Sequence, residues 1–379
     1  MKILRAATFV MFILLTAHAA DAAPWQIIAS PNSGSQNNVL NAVSAAADND
    51  VWAVGSISIS DSSTSQTLIE HWNGTAWSVV KSPNGGATFN VLTGVAALSA
   101  NNAWAVGYFA NGTVYRTLIE HWNGTAWSVV SSPNGNSTSS FNFLQGIAAI
   151  SANDIWAVGN YKADETNTLT LHWNGTAWKV VQSPNVTPET NNSLSGVSAI
   201  ATNDVWAVGT QQPSSLTATH TLTLHWNGTA WSIVPSANTS QTSSNHLLAA
   251  AAVSSNDVWA TGFTPSVALA EHWNGSSWGV VSTPTITGGS SPFLSGATAL
   301  ASNNVWAVGQ FFQNSISASR TLTEQWNGSS WTIVSSPNNG MFHNFLNGVD
   351  ATPGGTLWAV GGRYDSNSIQ RTLILRKLP

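Results

Sequence analysis

The chain has 379 residues, of which 43% are hydrophobic but only 7% are charged, and it contains 20 Trp and no Cys. Globular domains ordinarily carry roughly 25% charged residues, so Ser, Thr, Asn and Gly must solvate this surface, which is typical of an all-β protein. A net charge of −5, with Lys and Arg scattered singly, argues against a nucleic-acid partner. The lack of Cys excludes thiolate metal sites, disulfide bonds and a Cys nucleophile.

The first segment has the pattern of a secretory signal peptide. Lys2 and Arg5 precede a short apolar run, which is followed by small residues and two Ala-x-Ala sites. The run is shorter than the ~20 apolar residues of a membrane span, and an uncleaved anchor is the alternative. We expect cleavage of residues 1–22 and a single monomeric domain over residues 23–379 that has no membrane span. We expect this domain to be extracellular or periplasmic.

The tryptophans recur in two repeated phrases. Trp-Ala-Val-Gly, or a near copy, occurs seven times at a mean interval of about 51 residues, beginning at Trp52, Trp104, Trp156, Trp206, Trp259, Trp306 and Trp358. Trp-Asn-Gly-Thr/Ser-Ala/Ser-Trp occurs six times, beginning at Trp72, Trp122, Trp173, Trp226, Trp273 and Trp326. Repeats of this length indicate one supersecondary unit each.

Each repeat predicts four short strands. The first is exemplified by residues 92–97 and the second by residues 155–158, which we expect Gly159 to end. Residues 67–72 exemplify the third strand, and the Asn-Gly that follows it is a strong hairpin signal. Residues 77–80 exemplify the fourth. A Ser-Pro-Asn sequence then ends that strand, because Pro has no N–H to donate to a neighbouring strand.

Seven such units predict a seven-bladed β-propeller with four antiparallel strands per blade, because no single blade can bury both of its faces. The small residues of the first strand place it nearest the axis. Trp25 and the residues after it match the sequence that begins at the second Trp of the hairpin phrase in the other repeats. Residues 372–377 match the sequence that precedes this phrase in the other repeats. We therefore expect residues 25–29 to pair with residues 372–378 of the C-terminal blade and close the ring.

The order of these features resembles kelch repeats over residues 25–379. A strand ending in Gly55, an aromatic residue near the end of the next strand (Trp72), a tight turn and a single Trp (Trp77) follow the kelch pattern. Most repeats have one glycine where kelch repeats have two, and only Gly361-Gly362 restores the pair. The chain also differs by Trp in place of Tyr and by lacking the family's Arg. The resemblance implies the kelch and galactose-oxidase-like propeller group. The copper site of galactose oxidase needs a Tyr crosslinked to Cys, and we expect no cofactor here.

The repeated Trp and His residues are explained most simply by structural roles. A row of Trp can indicate carbohydrate stacking, but Trp at one place in every blade favours packing between adjacent blades. Five histidines share one position on the third strand: His71, His121, His172, His225 and His272. Metal–imidazole distances of about 2.0–2.1 Å prevent third strands of different blades from sharing one ion. We expect a hydrogen bond near the Asn-Gly turn and no metal site.

Gln325 and Arg376 replace the histidine in the other two blades, and the position before this one holds Glu in four blades and Leu in three. The glutamates are Glu70, Glu120, Glu271 and Glu324, and the leucines are Leu171, Leu224 and Leu375. A position that tolerates Leu is not a repeated acid/base site, so we assign no catalytic residue.

Binding residues are expected on the face that carries the variable loops. This face comprises the loops after the Trp-Ala-Val-Gly strand and the Ser-Pro-Asn connections between blades. Aromatic residues and Arg on these loops predict a rim that grips a sugar, a peptide or an acidic group. Alternatively, the aromatic side chains only fill space within their own loops and the arginines only solvate the ends of strands. The predicted ligand-binding residues are Tyr108, Arg116, Tyr161, Phe311, Arg320, Tyr364 and Arg371.

The pattern favours a secreted, non-catalytic binding module for an extracellular protein or glycan. One alternative is a multivalent carbohydrate-binding lectin, since the blades are nearly identical and their loops are neutral. Another is a glycoside hydrolase or lyase with a composite site at the propeller axis, which requires a pair of carboxylates about 5–10 Å apart. The chain has no nucleophile elbow, phosphate-cradling loop or zinc-protease motif.

Overall fold

The computed structural model describes residues 24–59, 64–136, 140–186, 190–213, 218–240 and 242–379, which form 28 strands in seven sheets. Each sheet has four antiparallel strands and forms one blade of a propeller, which confirms the predicted fold. The predicted signal peptide, residues 1–22, lies outside the described residues. Within the described part of the chain, no helix has the length and apolar character needed to cross a membrane.

Blades are numbered in chain order, and their strands are given from the axis outward. Blade 1 contains β2 (Asn38–Ala47), β3 (Asp50–Ile59), β4 (Thr64–Trp72) and β5 (Trp77–Val80), and blade 2 contains β6 (Asn90–Ser99), β7 (Asn102–Asn111), β8 (Val114–Trp122) and β9 (Trp127–Val129). Blade 3 contains β10 (Phe141–Ser151), β11 (Asp154–Lys162), β12 (Thr166–Trp173) and β13 (Trp178–Val181), and blade 4 contains β14 (Thr190–Ala201), β15 (Asp204–Pro213), β16 (His220–Trp226) and β17 (Trp231–Ile233). Blade 5 contains β18 (His246–Ser254), β19 (Asp257–Phe263), β20 (Ala268–Trp273) and β21 (Trp278–Val281), and blade 6 contains β22 (Gly289–Ala301), β23 (Asn304–Gln313), β24 (Ala318–Trp326) and β25 (Trp331–Ile333). Blade 7 contains β26 (Asn344–Ala351), β27 (Leu357–Tyr364), β28 (Gln370–Lys377) and β1 (Gln26–Ile28).

The prediction that Gly159 ends the second strand is wrong, because β11 continues to Lys162. The glycine is needed for close packing within the sheet. The adjacent first strand has a bulge between Leu144 and Gly146, and a Cβ added at Gly159 would lie 2.0 Å from the carbonyl oxygen of Phe143. The same close approach occurs at Gly55, Gly107, Gly209, Gly262, Gly309 and Gly361.

Replacement of Gly159 by Ala should therefore destabilise the protein by at least about 2 kcal/mol, because the bulge would have to move to admit the methyl group. Gly279 provides the control, since it lies on an outer strand and an added Cβ would meet no atom within 4 Å. Gly279→Ala should be neutral or slightly stabilising. Thermal unfolding of the two variants measures the difference, and equal midpoints would contradict the packing argument.

Tryptophan rings fill the interfaces between neighbouring blades. Trp52 on β3 of blade 1 is 1% exposed, and its ring centroid lies 5.0 Å from that of Trp122 and 5.2 Å from that of Trp127, both in blade 2. Equivalent contacts are made by Trp104, Trp156, Trp206, Trp259 and Trp358. The predicted role of the Trp residues in packing between blades is confirmed.

The N-terminal strand completes blade 7. β1 pairs antiparallel with β28, and Ile28 lies opposite Ile374. Trp25 is 4% exposed, and its ring centroid lies 5.8 Å from that of Trp306 in blade 6, which reproduces the contact between other blades. The predicted closure of the ring is confirmed.

The repeated histidines are held by the second strand of their own blade. His71 stacks on Trp52 with ring centroids 4.1 Å apart, and its Nε2 lies 2.7 Å from Oδ1 of Asp50 at the start of that strand. Equivalent bonds to Asp or Asn are made by His121, His172, His225 and His272. The predicted structural role is confirmed, although the partner is a second-strand side chain. In the ranges described, no group of three or more His, Cys, Asp or Glu residues is placed to hold a metal ion.

Candidate functional site

Two sets of loops meet on one face of the propeller, as predicted. The loop between the second and third strands of each blade lies beside the connections to neighbouring blades. In blade 1 the N–H of Ser65 donates to the carbonyl oxygen of Thr88 at 2.9 Å, and the N–H of Thr88 donates to Ala110 of blade 2 at 3.2 Å. We call this surface the variable-loop face.

The Ser-Pro-Asn sequence, which is Ser-Ala-Asn after blade 4, fastens six of the seven connections to the blade that precedes them. In blade 1 the hydroxyl of Ser82 donates to Oγ1 of Thr67 at 2.6 Å, and the N–H of Thr67 donates to Oδ1 of Asn84 at 3.1 Å. The same arrangement occurs at Thr117, Thr168, Thr221, Thr321 and Thr372. The loops of the variable-loop face therefore start from fixed points.

A buried Asn at the start of the first strand organises each of six connections. Asn90 is 2% exposed; its Oδ1 accepts a hydrogen bond from the N–H of Gly86, and its Nδ2 donates to the carbonyl oxygens of Gly86 and Ser65. The equivalent residues are Asn38, Asn142, Asn192, Asn245 and Asn344. Sequence analysis missed this role, although Asn recurs two residues before a buried Leu in each of these repeats and that spacing was available as a signal.

Two predicted binding residues, Tyr161 and Phe311, pack against the chain segment that leads into their own blade. The ring of Tyr161 covers Gly135 so closely that a Cβ there would lie 2.1 Å from its Cγ. A Cβ at Gly289 would lie 2.6 Å from Cδ2 of Phe311. Both side chains are partly buried and join the core clusters of blades 3 and 6. Both side chains therefore fill space inside the loops of the variable-loop face.

Tyr108 belongs to an aromatic cluster at the junction of blades 2 and 3. Its ring centroid lies 4.7 Å from that of Phe143, and Tyr115 stacks on Phe141 at 5.5 Å with an interplanar angle of 16°. Phe141 is 39% exposed. Burial, followed by the neighbouring Tyr115, raises the pKa of Tyr108. Arg116 follows Tyr115 on β8 and lies opposite Phe109 on β7, so its side chain points to the other face of the sheet from this cluster.

Arg320 and Arg371 hold neighbouring loops in shape. Arg320 donates from Nη1 to the carbonyl oxygen of Gly340 at 2.9 Å and from Nη2 to that of Met341 at 3.3 Å. Arg371 donates from Nε to Oδ2 of Asp365 at 3.1 Å. Hydrogen bonds from the backbone, that of Ile369 first, and the nearby Arg371 lower the pKa of Asp365, which keeps this carboxylate charged.

These arginines flank a pocket of about 590 Å³ that we call the 6/7 groove. Residues 316–318 and 339–343 of blade 6 and its connection form one side, and residues 363–366 of blade 7 form the other, including the predicted Tyr364. Met341 is 73% exposed and Phe342 is 47% exposed at its edge. Three of the seven predicted residues thus converge here: one lines the groove, and two support its loops.

The axis of the propeller carries two cavities of about 410 and 170 Å³, lined by the first strands of all seven blades. Among the described residues that line them, Asp350 is the one carboxyl group. Its Oδ2 accepts a hydrogen bond from the N–H of Ala45 in blade 1 at 2.9 Å, and its Oδ1 accepts one from the hydroxyl of Thr298 in blade 6. Burial raises the pKa of Asp350. These contacts tie blade 7 to both neighbours.

No protein-family model and no curated protein sequence matches this chain. The chain is similar in structure to YCF48 bound to D1 peptide, with 14% identity, a TM-score of 0.56, and coverage of 95% of this chain and 97% of that one. A protein of unknown function from Dyadobacter fermentans has 9% identity and a TM-score of 0.57, with coverage of 94% and 99%. The GH74 xyloglucanase from Xanthomonas campestris has 9% identity and a TM-score of 0.52, with coverage of 92% of this chain and 55% of that one. These similarities show the propeller fold.

Proposed function

We propose that this protein is a secreted, non-catalytic binding module whose 6/7 groove holds a peptide segment of an extracellular protein. The observation that carries the proposal is the exposure of Met341 and Phe342 at the edge of a pocket of about 590 Å³. Met and aromatic residues are enriched at protein interfaces, where a few such side chains supply most of the binding free energy.

The rigidity of the groove supports the same function. The backbone of residues 340–342 is held by Arg320, and the opposite loop by the ion pair between Arg371 and Asp365. A site whose loops are already ordered loses less conformational entropy when a ligand binds. The ordered loops therefore favour a ligand-binding role for the 6/7 groove over a role in which its side chains only contact solvent.

The kelch-like origin suggested by the strand pattern is a proposal about ancestry and does not bear on the ligand. The lectin alternative uses aromatic platforms repeated from blade to blade, whereas Tyr161 and Phe311 pack into their own connections. The hydrolase alternative uses two carboxylates at the axis, where Asp350 is the one carboxyl group among the described residues. The packing of Tyr161 and Phe311 and the single carboxyl group described at the axis therefore both favour one groove that binds a ligand without catalysis.

Selection of a phage-displayed library of random 12-residue peptides tests the proposal. We expect enriched peptides to lose affinity at least tenfold for a Met341→Ser, Phe342→Ser double variant, because truncating an anchor of an interface typically costs over 1 kcal/mol. Val267→Ser is the matched control, since Val267 is 49% exposed on a loop of the same face and lies outside the groove. Enriched peptides that bind the double variant with the same affinity as the original protein would overturn the proposal. Glycan-array binding without peptide binding would favour the lectin.

A further inference from the structure

The loops around the 6/7 groove carry more positive than negative charge, although the whole chain has a net charge of −5. Three guanidinium groups, those of Arg320, Arg363 and Arg371, lie in or beside the groove, together with one carboxylate, that of Asp365. Arg320 donates to neutral carbonyl and amide oxygens, so its positive charge is not neutralised by these bonds.

Arg363 is the guanidinium that lines the groove itself. Arg363 on β27 lies directly opposite Arg371 on β28, and like charges placed opposite each other in a sheet repel. Asp365 bonds to Arg371. Among the residues that the structure describes, none forms an ion pair or hydrogen bond with the side chain of Arg363. The groove therefore presents one guanidinium that lacks a counter-ion.

Apart from the carboxylate of Asp365, which pairs with Arg371, neutral donors and apolar walls line the rest of the groove. The N–H of Ser319 donates to Nδ1 of His343 at 3.1 Å, so the neutral imidazole carries its proton on Nε2. Tyr364 lies edge-on to His343 with ring centroids 5.9 Å apart. Met341 and Phe342 supply the apolar surface. A ligand that fits this set combines an anionic group with an adjacent apolar group.

We infer that the groove selects peptides in which a carboxylate stands beside an apolar side chain, and that Arg363 binds the carboxylate while Phe342 contacts the apolar group. The inference deepens the proposed peptide-binding function and rests on it. A planar guanidinium binds a carboxylate through two parallel hydrogen bonds, which gives it selectivity as well as attraction. In a groove with apolar walls this pair is screened by salt less than a fully exposed pair.

The test uses the same phage-displayed library with the original protein, Arg363→Gln and Arg363→Glu. We expect the peptides enriched by the original protein to contain Asp or Glu beside an apolar residue. A synthetic peptide from that pool should bind Arg363→Gln at least tenfold more weakly and Arg363→Glu more weakly still. Lys162→Gln is the matched control, because Lys162 is an exposed cation on blade 3. The peptide should bind this variant with an affinity within twofold of that for the original protein.

A second measurement keeps the test independent of the folding of the Arg363 variants. Replacing the acidic residue of the synthetic peptide by its amide should weaken binding to the original protein about as much as Arg363→Gln does, and the two changes together should cost little more than either alone. Enriched peptides that depend on Phe342 but show no excess of acidic residues would overturn this inference and leave the proposed function standing. Peptide binding that does not depend on Phe342, or no enrichment at all, would overturn the proposed function itself.

Discussion

Replacement of Glu324 by Leu should stabilise the protein, and the gain should increase between pH 4.5 and about 8. Glu324 is completely buried, and burial raises the pKa of its carboxyl from 4.5 to about 8. Within the described chain, neither carboxyl oxygen has a hydrogen-bond partner. The equivalent residues Leu171, Leu224 and Leu375 are equally buried, so the site accommodates Leu.

The sign of the pH effect follows from proton binding. Below pH 4.5 the carboxyl is protonated in the folded and the unfolded chain, and the pH has little influence on stability. Between pH 4.5 and about 8 the unfolded chain releases this proton while the folded chain keeps it, so the free energy of unfolding falls as the pH rises. The slope is about 1.4 kcal/mol per pH unit. At pH 7 the Leu variant should therefore gain about 3 kcal/mol.

Three further glutamates add to this dependence in the original protein. Burial also raises the pKa of Glu70, Glu120 and Glu271 to about 8. One oxygen of each accepts a hydrogen bond from the preceding connection, from Ser30, Ser82 and the N–H of Ala237 respectively. In the connection that precedes blade 6 the corresponding hydroxyl, that of Thr283, donates to the carbonyl oxygen of Ala268. The original protein should thus be most stable at acidic pH.

Urea unfolding of the original protein, Glu324→Leu and Glu324→Gln between pH 4.5 and 8 measures this effect. The Gln variant is the matched control, because it removes the titrating proton but keeps a buried polar group. Both variants should show a smaller fall in stability with pH than the original protein, and the Leu variant should be more stable than the Gln variant by an offset that does not depend on pH, because Gln keeps an unpaired buried polar group. A Leu variant whose stability follows that of the original protein at a constant offset would refute the assignment of Glu324.

The propeller could be predicted because its repeated residues are the ones that pack. Trp52 and its equivalents recur at one place in every blade, and that regularity indicated the interfaces between blades. The role of Gly159 could not be predicted in the same way, since its cause is a bulge on the neighbouring strand, which leaves no local pattern. The repeated Glu and Leu position argued against a catalytic role but did not reveal that its four carboxyl groups are buried.

The candidate site was predicted only in part, because side-chain direction depends on how each loop packs. Sequence reasoning selected Tyr161 and Tyr364 by the same criterion, yet one covers Gly135 and the other lines the 6/7 groove. Met341 and Phe342 were missed, since the other connections between blades contain no equivalent Met-Phe pair and the repeats therefore gave no signal for it. Their exposure depends on Arg320, which lies about 20 residues earlier in the chain and holds their backbone.

Trp25→Ala should destabilise the protein by about 3–5 kcal/mol, as expected for truncation of a buried Trp. Trp25 is 4% exposed and meets Trp306 edge-on with an interplanar angle of 84°. Trp127, which holds the same place in blade 2, is 5% exposed and meets Trp52 at 82°. The two truncations should therefore cost similar amounts, although Trp25 directly precedes β1, a strand of three residues contributed by the other end of the chain.

Calorimetry of Trp25→Ala, Trp127→Ala and Ile27→Ser tests whether the closing strand carries as much stability as an internal one. Ile27 is 38% exposed on the same strand, so its replacement should change stability by less than about 0.5 kcal/mol. A Trp25 variant no less stable than the Ile27 variant would contradict closure of the ring. Blade 7 depends on this strand more than other blades do, because Lys377 occupies the third-strand Trp position and places its Nζ 5.4 Å from the ring centroid of Trp306 where the other blades supply an indole ring. Loss of Trp25 should also free the edge of β28 to pair with other chains, so we expect the variant to form larger species in size-exclusion chromatography.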